Sequence, residues 1–103
     1  MRSKIVWTNQ VKNFVDSHAP EPRRALWREI KALAQWNGRE NPPLIKHLED
    51  ELSGYSRLAS GRVRVIFFET TTDGQRTIEC IYAAPRNTVY EVFRLLFLDE
   101  LAS

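Results

Sequence analysis

Cysteine is nearly missing from this chain, with Cys80 as its single example. One thiol cannot close a disulfide within the chain, and no CxxC pair or Cys/His cluster offers a metal site. Lying between Glu79 and Ile81 in a stretch that reads as a strand, Cys80 is expected to be a buried, inert thiol. A reducing, cytoplasmic compartment is the matching expectation. Glycine is also scarce, at four residues, and none of them builds a phosphate-cradling Gly-rich loop. There is no internal repeat and no low-complexity tract. No apolar run approaches the length of a membrane span, and the opening residues MRSKIVWTNQ lack the apolar core of a signal peptide, so no membrane partner is expected. Neither charge sign dominates either. Fifteen Lys and Arg against thirteen Asp and Glu leave a net charge of +2, which by itself names no nucleic-acid partner.

Arginine is what the chain does have, with eleven against four lysines. A planar guanidinium fork matches a phosphate bidentately, which an ammonium cannot do. Taken one at a time, such arginines are ordinary solvated surface residues; their placement has to decide. The length of 103 residues and a hydrophobic share of 43% suit one domain, 1–103, with a real core.

In chain order, Ser3 to Trp7 is a short strand candidate, with Ile5 and Trp7 on one face. Thr8 can cap a helix carrying Val11, Phe14 and Val15, which stops at His18-Ala19-Pro20. A second helix carries the stripe Leu26, Ile30 and Leu33 from Arg24 to Trp36, with Trp27 and Ala34 beside it. Pro20 and Pro22 fit its first turn, and Gly38 can close its end. So short a link predicts an antiparallel helical hairpin. After the loop Arg39 to Pro43, Leu44, Ile45, Leu48 and Leu52 return to the core as a short helical or irregular segment. His47 among them reads as a surface histidine beside the acidic run Glu49 to Glu51.

The stretch from Gly54 to Tyr90 organises the rest. Val63, Val65 and Phe67 fall on one side of a strand, and Arg62, Arg64, Ile66 and Phe68 on the other. Asp73-Gly74 supplies a tight hairpin turn to a strand from Thr77 to Ala83. Tyr55 to Ala59 forms another strand upstream, across the Ser60-Gly61 turn. Thr88 to Leu101 then reads as a helix, more apolar around its circumference than a surface helix needs. Leu95, Leu98 and Leu101 widen its apolar surface, which either packs deeply or waits for a partner. The expected fold is α+β, in the order β-α-α-β-β-β-α: a small antiparallel sheet of about four strands against the helical hairpin, with a closing helix.

Three pieces of this stretch, in register, resemble the RelE/ParE superfamily of type II toxins. They are Leu52-Ser-Gly-Tyr-Ser-Arg-Leu58, Gly61-Arg-Val-Arg-Val-Ile-Phe67 and Arg86-Asn-Thr-Val-Tyr90. The resemblance implies a small toxin held inactive by a cognate antitoxin. RelE-like members cleave mRNA presented by the ribosome and need no metal or other cofactor; ParE-like members act on DNA gyrase. By position, Arg57 matches the basic residue of one strand, Arg64 the arginine of the central strand, Arg86 the arginine after the last strand and Tyr90 the tyrosine of the closing helix. This chain departs from the pattern at Ala59, where many relatives have a second basic residue. It also has Ala84-Pro85 in place of a glycine-histidine pair, and no histidine near its C-terminus.

The chemistry suits these residue types. When a ribose 2′-OH attacks the adjacent phosphorus, charge builds on a phosphorane-like state that fixed guanidinium groups can stabilise. Arg64 and Arg86 are assigned to the scissile phosphate, and Tyr90 to orienting the reacting groups or exchanging a proton. A free phenol keeps its proton until about pH 10, so a tyrosine used as a base needs cationic neighbours. Arg57 and Arg62 would hold flanking phosphates or ribosomal RNA, and the 2′-OH requirement would restrict the activity to RNA. The plainer alternatives are an Arg64 ion pair with Glu69 or Glu79 across strands, a packing role for Tyr90 and a loop role for Arg86. Ribosome-dependent mRNA cleavage is the favoured expectation. A gyrase-directed binding module is the second, and a degenerate antitoxin-binding member the third. The antitoxin is expected to cover the arginine-bearing face with an acidic segment, with the closing helix as a second surface.

Overall fold

The computed structural model describes residues 3–38 and 42–98. The elements are β1 (Lys4–Trp7), α1 (Asn9–Asp16), α2 (Pro20–Ala32), β2 (Ile45–His47), β3 (Ser56–Ser60), β4 (Val63–Thr72), β5 (Gln75–Pro85) and α3 (Val89–Phe93). Single 3₁₀ turns follow α2 (Leu33–Gln35) and β2 (Asp50–Leu52), and a π-type turn, Arg94–Leu98, prolongs α3. The strands form one mixed sheet in the order β1-β5-β4-β3-β2. β1 runs parallel to β5, and every other pairing is antiparallel.

The α+β class is as expected, with five strands in place of about four. The added strand is β2, where a helical or irregular segment was expected. Leu44, Ile45, Leu48 and Leu52 mimic helical spacing, but the backbone of Ile45 to His47 pairs with Leu58 to Ser56. The ladder bonds are made across the sheet, and three residues are too few to show alternation in sequence. Leu52 reaches the core from the 3₁₀ turn.

Local chemistry sets most element ends. The Thr8 hydroxyl accepts the Val11 N–H at 3.3 Å and caps α1. Pro20 and Pro22 occupy the first turn of α2, where a missing N–H costs nothing. That helix ends at Ala32 and tightens to 3₁₀, so its end comes before Trp36. Gly38 has φ +80° but serves a close approach rather than a helix cap, because a Cβ there would lie 2.8 Å from Arg76 Nη2. Asp73 and Gly74, at φ 52° and 80°, form the two-residue turn between β4 and β5. The closing helix is described only as far as Leu98; Leu101 lies outside the described residues.

The sheet is buried on both faces. Val63, Val65 and Phe67 of β4 pack with Leu58, Ile78, Cys80 and Ala83 beneath α1 and α2. Ile66 packs with Tyr82, Ala84, Leu52, Val89 and Phe93 beneath α3. β5 changes parity to do this. Ile66 pairs with Tyr82 but Phe67 pairs with Cys80, so Ile81 is an extra residue in the ladder, a β-bulge. Were Ile81 to take a regular place in the ladder instead, Tyr82 and Ala84 would point at the helical hairpin and Ala83 away from it.

Two outcomes follow from this core. Deleting Ile81 should remove the bulge and leave Cys80 and Tyr82 on their own faces in plain alternation, so urea melts should keep a cooperative transition; its loss would contradict Ile81 as the extra residue. Cys80 is fully buried, and burial pushes its thiol up to about 12 from the ordinary 9.0. A thiol that ionises in the unfolded chain above pH 9.0 but stays protonated in the fold stabilises the native state fully below pH 9.0, and loses that contribution as pH rises toward about 12. Native protein at pH 8 should therefore resist alkylation by iodoacetamide, while urea-unfolded protein should react fully; equal rates would contradict the buried placement.

Candidate active site

β3 and β4 are joined by Gly61 and Arg62, since Ser60 pairs with Val63. Gly61, at φ 58°, takes the left-handed backbone that such a turn requires. Arg62 therefore stands in the turn itself, not on the strand face where alternation placed it. Its carbonyl accepts the Arg86 N–H at 2.8 Å, which ties the loop after β5 to this turn. Beyond Arg86 the chain turns sharply, with the Thr88 N–H bonded to the Pro85 carbonyl at 3.1 Å, and enters α3. The two arginines are thus backbone neighbours despite their separation in sequence. With Pro85 and Asn87 they line an open cavity of about 340 Å³ that has no acidic side chain in its wall.

Arg64 lies on the α3 side of β4, paired with Ala59 on one flank and Ala84 on the other. Its half-buried guanidinium folds back over the turn, and Nη1 donates to the Gly61 and Val63 carbonyls at 2.9 and 3.0 Å. The Nε–H and both Nη2 hydrogens remain for a ligand. Glu69 is bonded to Arg76, and Arg64 has no ion pair among the described residues. The cross-strand ion pair that would have made Arg64 merely structural is therefore not formed. Ala59 and Ala84 place only a methyl group directly across the ladder from Arg64 on either flank.

Tyr90 lies in the first turn of α3, half-buried against the cluster of Ile66, Ala84 and Val89. Ala84 flanks Arg64 across the ladder and Ile66 follows it along β4, and both belong to the cluster that Tyr90 packs against. Arg62, Arg64, Arg86 and Tyr90 thus belong to one end of the sheet. Arg57 does not join them. It pairs with Ile66 and Lys46, and its Nη1 bonds the Leu44 carbonyl at 3.2 Å, drawing the guanidinium toward the β2 edge.

Neither histidine belongs to this end. His47 is exposed, with Nδ1 2.8 Å from the Ser56 hydroxyl and its ring 6.0 Å from that of Trp36, toward the far end of β3. His18 Nδ1 lies 2.9 Å from the Phe14 carbonyl at the end of α1. Among the described residues, no three His, Cys, Asp or Glu side chains gather as metal ligands would, and no helix is long and apolar enough to cross a membrane.

Gln10 supports the site and carried no signal in the sequence. Its side-chain amide bonds both backbone groups of Ala83, donating to the carbonyl at 2.6 Å and accepting from the N–H at 2.8 Å. That amide continues the β1 ladder past Trp7, where the main chain has already turned into α1. Thr8 adds bonds to the Cys80 and Ile81 carbonyls, each at 3.1 Å, which satisfies the bulge. The last residues of β5, which lead into Arg86, are held by these two side chains.

No protein-family model and no characterised protein matches the chain by sequence. Solved structures do match. A toxin–antitoxin complex RelBE2 from Mycobacterium tuberculosis aligns at TM-score 0.65 with 17% identity, covering 84% of this chain and 100% of its counterpart. The chain has the fold of the RelE/ParE toxins. An archaeal RelE–RelB complex from Pyrococcus horikoshii gives TM-score 0.63 at 18% identity, covering 84% of this chain and 97% of the other. A YoeB/ParE toxin from Agrobacterium tumefaciens gives TM-score 0.61 at 16% identity, covering 80% and 97%. The RelE/ParE fold thus accounts for nearly the whole of each counterpart.

If Gln10 holds the end of β5, Gln10→Ala should leave the Ala83 N–H unpaired at a cost of about 1–3 kcal/mol. Hydrogen exchange at Ala83 should speed up well beyond that at Ile78 in the middle of the strand; equal acceleration at both would indicate global loosening instead.

Proposed function

We propose that this chain is the toxin of a type II toxin–antitoxin pair, and that it cleaves mRNA on the ribosome without a metal. The observation that carries this reading is that Arg62 and Arg86 line a cavity without an acid at the end of the sheet where Arg64 folds over the same turn, with Tyr90 in the adjoining helical turn. Three guanidinium groups brought together without anionic partners repel one another, so the arrangement stores affinity for an anion that bridges them. A phosphate group is the ligand whose oxygens their planar donors fit.

In the proposed reaction the substrate ribose 2′-oxygen attacks the adjacent phosphorus. The new O–P bond forms as the bond to the 5′-oxygen of the next nucleotide breaks, leaving a 2′,3′-cyclic phosphate and a 5′-hydroxyl. The 2′-OH gives up one proton and the 5′-oxygen gains one, so no water or cofactor is consumed. Arg64 and Arg86 stabilise the charge that accumulates on the phosphorane oxygens. Tyr90 orients the attacking or leaving oxygen or relays its proton. Arg62 holds a neighbouring phosphate, and Arg57, set apart toward β2, makes a more distant contact with RNA.

The antitoxin partner has its own support. Several structures with this fold are complexes with RelB, YefM or DinJ partners. In this chain the prolongation of α3 leaves Leu95 and Leu96 57% and 50% exposed. Two large apolar side chains side by side on a short, irregular turn suit a partner's apolar segment.

Induction of the wild type beside Arg64→Ala/Arg86→Ala, with mapping of mRNA 5′ ends, tests the reading. New 5′-hydroxyl ends within translated codons should be present for the wild type and reduced at least about 100-fold in the double variant. Arrested DNA replication with intact mRNA would replace this reading with a gyrase-directed one on the same scaffold. Normal translation and replication together would leave only antitoxin binding.

A further inference from the structure

α2 carries a second basic surface, remote in sequence from the arginine-bearing turn. Arg24, Arg28 and Lys31 recur at helical spacing on the exposed side of α2, turned away from Leu26 and Ile30, with Arg23 and the core-packed Trp27 on its flank. With Asp16 they line an open concavity of about 490 Å³. Arg24 and Arg28 are exposed and make no hydrogen bond or ion pair among the described residues. The Lys31 ammonium lies 5.9 Å from the centre of the Trp27 ring, which meets the Trp7 ring at 4.8 Å. Trp7 is itself 38% exposed. The acidic wall is already engaged: Asp16 accepts the Trp27 Nε1–H at 2.8 Å and pairs with Lys12 at 3.0 Å. Those bonds hold its carboxyl below the ordinary carboxylate value. Glu21, a turn upstream of Arg24, is the remaining acid near this face, and Glu29 points into a different, apolar cavity beside Leu33 and Trp36.

We infer that this face of α2 binds a single-stranded segment of RNA, its phosphates on Arg24, Arg28 and Lys31 and a base stacked on the exposed ring of Trp7. Charge complementarity selects a polyanion. Between Arg24 and Lys31 the cations cover about 10 Å along the helix axis, enough to meet more than one phosphate of a strand. The aromatic pair distinguishes a single strand from a duplex, because only unpaired bases offer a face for stacking. The inference rests on the proposed cleavage only in naming RNA as the occupant; binding here needs neither Arg64 nor Arg86.

The test measures anisotropy of a fluorescein-labelled, mixed-sequence single-stranded oligoribonucleotide whose 2′-O-methyl riboses prevent cleavage by 2′-oxygen attack, titrated with full-length protein over a range of salt. Arg24→Gln/Arg28→Gln should bind roughly ten-fold more weakly, with a log–log salt slope shallower by about 1.4, as expected for two lost phosphate contacts. Trp7→Leu should weaken binding about five-fold and leave the salt slope unchanged, since stacking releases no counterions. Arg64→Ala/Arg86→Ala should retain most of the binding at this face, so loss of cleavage there alone would leave the present inference standing. Unchanged affinity and slope in the Arg24/Arg28 variant would overturn it. Duplex RNA bound as tightly as the single strand, with no effect of Trp7→Leu, would overturn the stacking assignment.

Discussion

The extra residue in β5 is the constraint on which the other features depend. A strand with strict alternation can give its apolar side chains to one face only in one parity. This chain needs Ile78 and Cys80 under the helical hairpin, then Tyr82 and Ala84 under the closing helix, and the bulge at Ile81 makes both possible. The cost of a bulge is a pair of backbone groups left out of the ladder. The Thr8 hydroxyl supplies a partner for the Ile81 carbonyl, and Gln10 holds Ala83 two residues on, both from the entrance of α1. The cap of one helix, the second parity of the central sheet and the position of the arginine-bearing loop are therefore a single mechanical unit. Loss of any part should be felt at Arg86.

Arginines held apart from acids are unusual in a chain of nearly balanced charge. Arg76 shows the ordinary outcome: it bonds Glu69, the Ser3 hydroxyl and the Trp36 carbonyl, and stacks on the Trp36 ring. That guanidinium is used up in tying the segment after α2 to the sheet. Arg64 instead bonds two carbonyls of its own turn, which fixes its direction while leaving its charge uncompensated. Fixing the donor before the ligand arrives is what makes electrostatic stabilisation effective, because no reorganisation is needed as charge develops. The contrast between these two arginines, on the same strand pair, separates structural from ligand-ready cations more sharply than net charge could.

Much of this was legible in the sequence, where the signal was local. Thr8 before an apolar repeat, paired prolines in a first turn, Asp73-Gly74 between alternating strands and the two faces of β4 all rest on neighbours in the chain. β2 was not legible, because three residues cannot show a period and its leucines imitate a helix. The bulge and the Gln10 clamp were hidden for a different reason. Gln10 and Ala83 lie 73 residues apart, and a polar side chain that completes another strand's ladder leaves no local pattern. Arg62 was misplaced by one step of alternation because the turn takes two residues, Gly61 and Arg62. The arginine cluster itself was visible only as a set of spacings matching a family pattern, and the fold supplies the backbone bond between Arg62 and Arg86 that spacing could not.

In the proposed site, Arg64 and Arg86 address one phosphate, with Tyr90 beside it. A crystal structure with a short 2′-O-methyl RNA tests this most directly. A single phosphate should lie within hydrogen-bonding distance, about 2.7–3.2 Å, of both guanidinium groups, with the modified 2′-oxygen in line with the departing 5′-oxygen and the Tyr90 hydroxyl against one of the two. An RNA strand whose phosphates bypass this end of the sheet, or arginines that contact separate phosphates with no in-line geometry, would contradict it.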